Sequence, residues 1–226
     1  RHSFPTRRSS DLGNLASKDV QTGTALATTT GLALGTSSNG GLANNYNPFF
    51  QASSSVSVTK ANLTLSGTRV YNGATTFAAS DLGSVATGVN GETFALSGAG
   101  DATNLSSKDV QTGALASVTG LTLGVSGNGG LAGNYNLLVA ANSTISVTKA
   151  NLTLTGTRVY NGATTFAATD LTSVATGVNG ETFALTGSGT LSTKNVQTAQ
   201  PLASVAGLAL GAGNTGAAVS TNYNTL

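Results

Sequence analysis

The sequence predicts an all-β protein built from antiparallel sandwiches in tandem, with a β-solenoid as the competing architecture. Three observations lead there. Short apolar positions alternate with Ser, Thr and Asn at period two, as in Val56 and Val58 and then Leu63 and Leu65, so that one face of an extended chain is apolar. Asn-Gly pairs at 72–73, 90–91 and 128–129 supply turns, because both residues tolerate positive φ. A stretch of 47 residues at 54–100 returns at 143–189, an offset of 89, with seven positions changed.

Within the complete unit the strands are expected, in order, at Val56–Val58, around Leu63 and Leu65, at Val70-Tyr71, Thr76-Phe77, Val85, Phe94–Leu96, Val118–Leu123 and Tyr135–Val139. No stretch carries a helical apolar period. Some seven or eight strands in 89 residues, with turns between them, fit a sandwich. The unit contains no internal period of about 20–30 residues, which a solenoid would require.

A second block occurs three times, beginning at Leu15, Leu105 and Leu191 with LASKDVQTG, LSSKDVQTG and LSTKNVQTA. The expected organisation is therefore 13–53 as the C-terminal part of a truncated repeat, 54–142 as one complete repeat, and 143–226 as a second repeat lacking its last strand. The opening stretch RHSFPTRRSSDL stands apart. From His2 through Leu12 it matches one reading frame of a DNA string resembling a widely used sequencing adapter, so residues 1–12 are expected to be an unstructured artefact outside the fold.

Charge supports that separation. The net charge of +2 comes wholly from Arg1, Arg7, Arg8 and Asp11, and residues 13–226 balance seven basic against seven acidic side chains. A neutral body offers no electrostatic case for nucleic acid. No apolar run is long enough to span a bilayer, so membrane insertion by this segment is not expected. The absence of cysteine removes disulfides and thiolate metal sites.

Catalysis has little to work with. The chain has one histidine, in the opening stretch, and Asp81, Glu92, Asp101 and Asp109 of the complete unit show no dyad spacing. Glu92, in Asn90-Gly91-Glu92-Thr93, reads as a solvated hairpin position. The loop Asn128-Gly129-Gly130-Leu131 lacks the aspartates of exported-repeat calcium sites. No enzyme activity, cofactor or metal is expected. Lys60, Arg69 and Lys108 recur as Lys149, Arg158 and Lys194, and they read as edge protection in preference to an anionic-glycan patch. Asn62, Asn104, Asn142 and Asn151 match the N-glycosylation pattern at a frequency this composition yields by chance.

Three motifs carry a family resemblance. They are Val70-Tyr71-Asn72-Gly73, repeated as Val159-Tyr160-Asn161-Gly162; Lys108-Asp109-Val110; and Gly133-Asn134-Tyr135. In this order and spacing they resemble the YDG domain, found with related MBG repeats in bacterial exported adhesins of the filamentous-haemagglutinin type. The asparagines at 72 and 161 stand where the family has its eponymous aspartate; they suit the turn equally, and a cation site that depends on that carboxylate is not expected to carry over. The resemblance implies immunoglobulin-like sandwiches, an extracellular location at the bacterial cell surface, and neighbouring repeats of the same chain as partners. It makes these residues structural turn and strand positions in a non-catalytic spacer. Two other readings stay open: carbohydrate-binding repeats, and the non-catalytic linker of a polysaccharide-active enzyme. The receptor would be a host or environmental glycan or protein. Tyr135 is either a core tyrosine or one whose hydroxyl ties back to a neighbouring loop.

Overall fold

The computed structural model describes residues 14–213 and 218–226, with the side chains of residues 172 and 173 outside that description. The expectation placed on residues 1–12 lies outside the described residues. The fold is all-β and of sandwich type, formed by thirteen short strands in four sheets, and no solenoid is present among the described residues.

Strands β1 (Gln21–Thr24) and β2 (Val56–Val58) form an antiparallel pair. The complete unit, the second of three copies counted from the partial one at 13–53, follows with β3 (Leu65–Val70), the α-helical turn α1 (Ala79–Leu82), β4 (Val85–Ala86), β5 (Thr93–Ser97), β6 (Gln111–Gly113), β7 (Thr122–Ser126) and β8 (Ser143–Thr148), with 143–226 as the third copy. These make two three-stranded sheets, β3-β8-β6 and β4-β5-β7. The final copy contributes β9 (Thr153–Gly156), β10 (Thr165–Ala167), β11 (Leu171–Ala175), β12 (Thr182–Thr190) and β13 (Leu208–Gly213), with order β10-β12-β11-β9 and β13 also on β12.

One pairing departs from an antiparallel sandwich. β3 and β8 run parallel in continuous register from Leu65 beside Ser143 to Val70 beside Thr148. Parallel neighbours need a long crossover, and here the rest of the unit provides it. β8 opens the third copy in sequence yet completes the sheet of the second. Its Ile145 and Val147 enter one apolar core with Leu63, Leu65, Phe77, Val85, Phe94 and Leu115.

Several expected strands are not strands. Tyr135–Val139 runs on from a 3-10 turn at Ala132–Asn134 without a ladder of its own; Tyr135 is held by a single parallel bridge to Ala61. Leu137 and Val139 are exposed, so their apolar character does not mark a buried face. Thr76-Phe77 is likewise irregular in the second copy, although the equivalent Thr165–Ala167 is a strand. β6 has no apolar alternation and escaped the pattern: its QTG sequence is held by pairing with β8 rather than by burial. The Asn90-Gly91 turn behaves as the sequence requires, with φ of 45° and 70°.

Candidate functional site: the junction between repeats

The motifs converge where one repeat meets the next. The chain makes no linker there. Thr148 accepts a hydrogen bond from the Tyr71 amide at 2.8 Å, in the second unit, and Ala150 donates to the Asn222 carbonyl at 3.0 Å, in the third. Only Lys149 lies between the two bonds, so the strand passes from one sheet into the next without slack.

Across this seam, Glu181 gathers three donors. Tyr223 donates to its Oε2 at 2.6 Å, and Tyr71 and Lys108 reach its Oε1 at 3.0 and 3.1 Å. Lys108 Nζ also donates to the Tyr71 hydroxyl at 2.5 Å. Glu181 and Tyr223 belong to the third unit, whereas Tyr71 and Lys108 belong to the second. Glu181 is buried, the Tyr71 and Tyr223 rings stand edge-to-face at 5.5 Å, and Tyr223 stands edge-to-face with Phe183 at 5.2 Å. Burial pushes the Glu181 carboxyl up, but the hydrogen bonds from Tyr223, Lys108 and Tyr71 outweigh it and leave the group below the usual glutamate range. Burial raises both tyrosine hydroxyls, and their bonds to Glu181 add to the effect.

A second clasp lies beside the first. Asn222 accepts from the Val110 amide at 2.9 Å and donates to Asp109 Oδ1 at 2.7 Å. That bond and one from Ser107 hold the Asp109 carboxyl below its ordinary value. The K-D-V motif of one repeat thus grips the N-Y motif of the next.

The same arrangement recurs between the first and second units. Asn134 accepts from Val20 at 2.9 Å and donates to Asp19 at 2.8 Å, Lys18 pairs with Glu92 at 3.1 Å, and Tyr135 donates to Glu92 at 2.5 Å. Tyr135 is therefore a tie-back tyrosine, with Phe94 edge-to-face at 5.2 Å. Here the Lys18 side chain is 67% exposed against 26% for Lys108.

The YNG motif supplies the remaining contact. Gly73 has φ +74°, and a Cβ there would lie 2.4 Å from Asn179 Nδ2 and 2.9 Å from Val178 Cγ1 of the next unit. Asn179 Nδ2 donates to the Gly73 carbonyl at 3.3 Å. Asn72 Oδ1 accepts from the Ala74 amide at 3.1 Å and from the Arg69 guanidinium, shaping the turn. Val70, by contrast, is exposed. In the third copy Gly162 keeps φ +78° with open space around it, Asn161 makes the same bond to the Ala163 amide, and Val159 and Tyr160 are exposed. Tyr71 and Tyr160 share a motif but are 2% and 57% exposed, and Tyr71 docks on Glu181 and Tyr223 of the third copy. Gly133 shapes the 3-10 turn that presents Asn134 and Tyr135.

Sequence reasoning missed the hub. Glu92 and Glu181 are buried, not solvated. The signal was present, since these are the only glutamates in the chain and both lie in VNGETFAL. Arg69 is also misplaced as edge protection. It is buried, donates to the Ala74 carbonyl at 2.6 Å and stacks over Phe77 at 5.5 Å. Asn104, one of the glycosylation matches, is fully buried and bonds the Phe77 amide and the Ser117 and Thr119 carbonyls.

The two tyrosines provide an internal comparison. Tyr71→Phe is expected to cost about 1–2 kcal/mol in urea unfolding, because a hydroxyl donating to a buried carboxylate is lost. Tyr160→Phe is expected to stay within about 0.5 kcal/mol of the parent chain.

No curated protein and no solved structure matches the chain. Comparison with protein families matches the YDG domain over residues 55–145. That span starts one residue before β2 and ends halfway along β8, so it covers all but the first residue of the complete unit and the first half of the strand that closes it. The second unit of this chain is a YDG domain.

Proposed function

We propose that the chain is a run of spacer repeats from the stalk of an exported bacterial surface adhesin, non-catalytic in itself, which holds a receptor-binding region away from the cell. The observation that carries this reading is the junction, where a one-residue link and a buried Glu–Lys–Tyr hub make each repeat the template for the next. A module that binds a soluble ligand has no need to commit its family motifs to its neighbours. A stalk does, because its reach depends on the angle between successive units staying fixed. Glu92, Asp109 and Glu181, which a catalytic reading would need, are engaged in these contacts. The cell-surface setting follows from the filamentous-haemagglutinin resemblance.

Small-angle scattering of the whole chain tests this. The expected profile is that of an elongated, stiff particle, and Glu181→Gln broadens its pair-distance distribution. A compact or fully flexible profile would count against a stalk. So would reproducible saccharide binding on a glycan array that loop substitutions abolish, which would favour the carbohydrate-binding reading.

A further inference from the structure

Asn-Gly pairs stand at Asn39, Asn72, Asn90, Asn128, Asn161 and Asn179. In any such pair the glycine nitrogen can close a ring on the asparagine Cγ, because glycine places no side chain in the way. What the fold adds differs from pair to pair, and Asn72 stands apart. Its Oδ1 accepts from the Ala74 amide at 3.1 Å and also from the Arg69 guanidinium. Asn161 Oδ1 accepts from the Ala163 amide and Asn39 Oδ1 from the Ser37 hydroxyl, in neither case from a cation. Asn128 and Asn179 use their side chains as donors, to the Gly91 and Gly73 carbonyls.

The surroundings of Asn72 suit a reaction at its side-chain carbonyl. Asn72 is exposed, so water reaches it. Among the described residues the Gly73 amide donates to no other group, which leaves its nitrogen uncommitted. Arg69 is only 7% exposed, its Nε has no hydrogen-bond partner, and no described carboxylate lies within ion-pair reach of it. Burial disfavours the Arg69 charge, and Asp81 offsets that only from beyond contact. A buried cation in this state favours negative charge on the oxygen it already touches.

We infer that Asn72-Gly73 is a self-modifying site, where Asn72 deamidates through a succinimide faster than the other Asn-Gly asparagines because Arg69 and the Ala74 amide together hold the oxyanion. The Gly73 nitrogen bonds to Asn72 Cγ and gives up its proton, while the carbonyl electron pair moves onto Oδ1, where both donors sit. As the carbonyl re-forms, the Cγ–Nδ2 bond breaks and Nδ2 leaves with that proton as ammonia. One water then adds across a ring C–N bond, its hydroxyl going to carbon and its hydrogen to the Gly73 nitrogen, and the product is an aspartate or an isoaspartate. An aspartate at this position sets a carboxylate against Arg69. The modification reaches the junction, since Gly73 is seated against Val178 and Asn179 of the third unit. It holds equally for a stalk and for a carbohydrate-binding array, so it does not rest on either reading.

Ageing the whole chain in mildly alkaline buffer, with peptide mapping by mass spectrometry at intervals, tests the proposal. In the folded chain Asn72 is expected to convert at least about tenfold faster than each of the other Asn-Gly asparagines, on the scale of losing one oxyanion donor. In urea the pairs are expected to convert at similar rates, because only the fold places Arg69. Arg69→Gln is expected to slow Asn72 by at least about tenfold and to leave Asn128 unchanged. If that variant does not fold, the comparison of the folded parent with the parent in urea decides the matter. A folded chain in which Asn72 converts no faster than the other pairs, or more slowly than in urea, overturns the proposal. So does a folded Arg69→Gln chain with an unchanged rate at Asn72.

Discussion

Replacing Glu181 by alanine is expected to destabilise the junction between the second and third units by about 3–5 kcal/mol, measured by urea unfolding of the whole chain. The cost is more than the loss of one ion pair. Tyr223 and Tyr71 are buried and would keep hydroxyls without an acceptor, and Lys108 would lose the carboxylate opposite it. Glu181→Gln retains an acceptor and most of the shape, so its loss is expected to be smaller. Glu92→Ala is expected to do less harm than Glu181→Ala, since Glu92 serves one buried tyrosine and an exposed lysine.

The pH dependence follows in sign. Because the folded Glu181 carboxyl titrates below its ordinary value, its stabilisation is fully present above the unfolded value of about 4.3 and is lost as pH falls through the lower folded value. The Tyr71 and Tyr223 hydroxyls are raised by burial, so their contribution is present below about 10 and is lost as pH rises through their folded values. The junction is therefore expected to hold evenly between about pH 5 and 10. Glu181→Ala should flatten the acid limb, and a limb unchanged by that substitution would assign it to other carboxylates.

Gly73→Ala is the second large expected effect. At φ +74° any Cβ costs about 1–2 kcal/mol of backbone strain. At this position the same Cβ also drives into Val178 and Asn179, which adds a further overpacking cost of about 1–3 kcal/mol. Gly162→Ala separates the two contributions, because its φ of +78° carries the strain and its surroundings are open. The expected result in parallel unfolding measurements is that Gly73→Ala loses at least twice what Gly162→Ala loses. Equal losses would mean that the turn does not dock tightly on the next repeat.

Much of this was legible in the sequence, and the remainder fails for identifiable reasons. Period-two alternation located β5 and the start of β3, because those strands bury one face against the core, and also β2, whose Val56 and Val58 are half-buried. It failed at β6, whose QTG sequence is fixed by hydrogen bonding to β8, and at Tyr135–Val139, where Tyr135 is buried but Leu137 and Val139 are exposed and no ladder forms. The three motifs were visible as recurring residues, but not as partners of one another. Tyr71 meets Glu181 across 110 residues of chain and Asp109 meets Asn222 across 113. A contact between neighbouring repeats leaves the same periodic signature as a contact within one. Glu181 was hidden by its setting, since an Asn-Gly turn usually points its next residue to water.

The parallel β3–β8 pair has a mechanical consequence. Tension along the chain enters the second unit just before β3 and leaves it just after β8, so the load pulls those two strands past each other lengthwise. Six residue pairs in continuous register then resist together in shear, instead of opening one at a time as in a hairpin peeled from its end. Because Lys149 is the only slack between units, the strand that bears this load also delivers it to the next repeat.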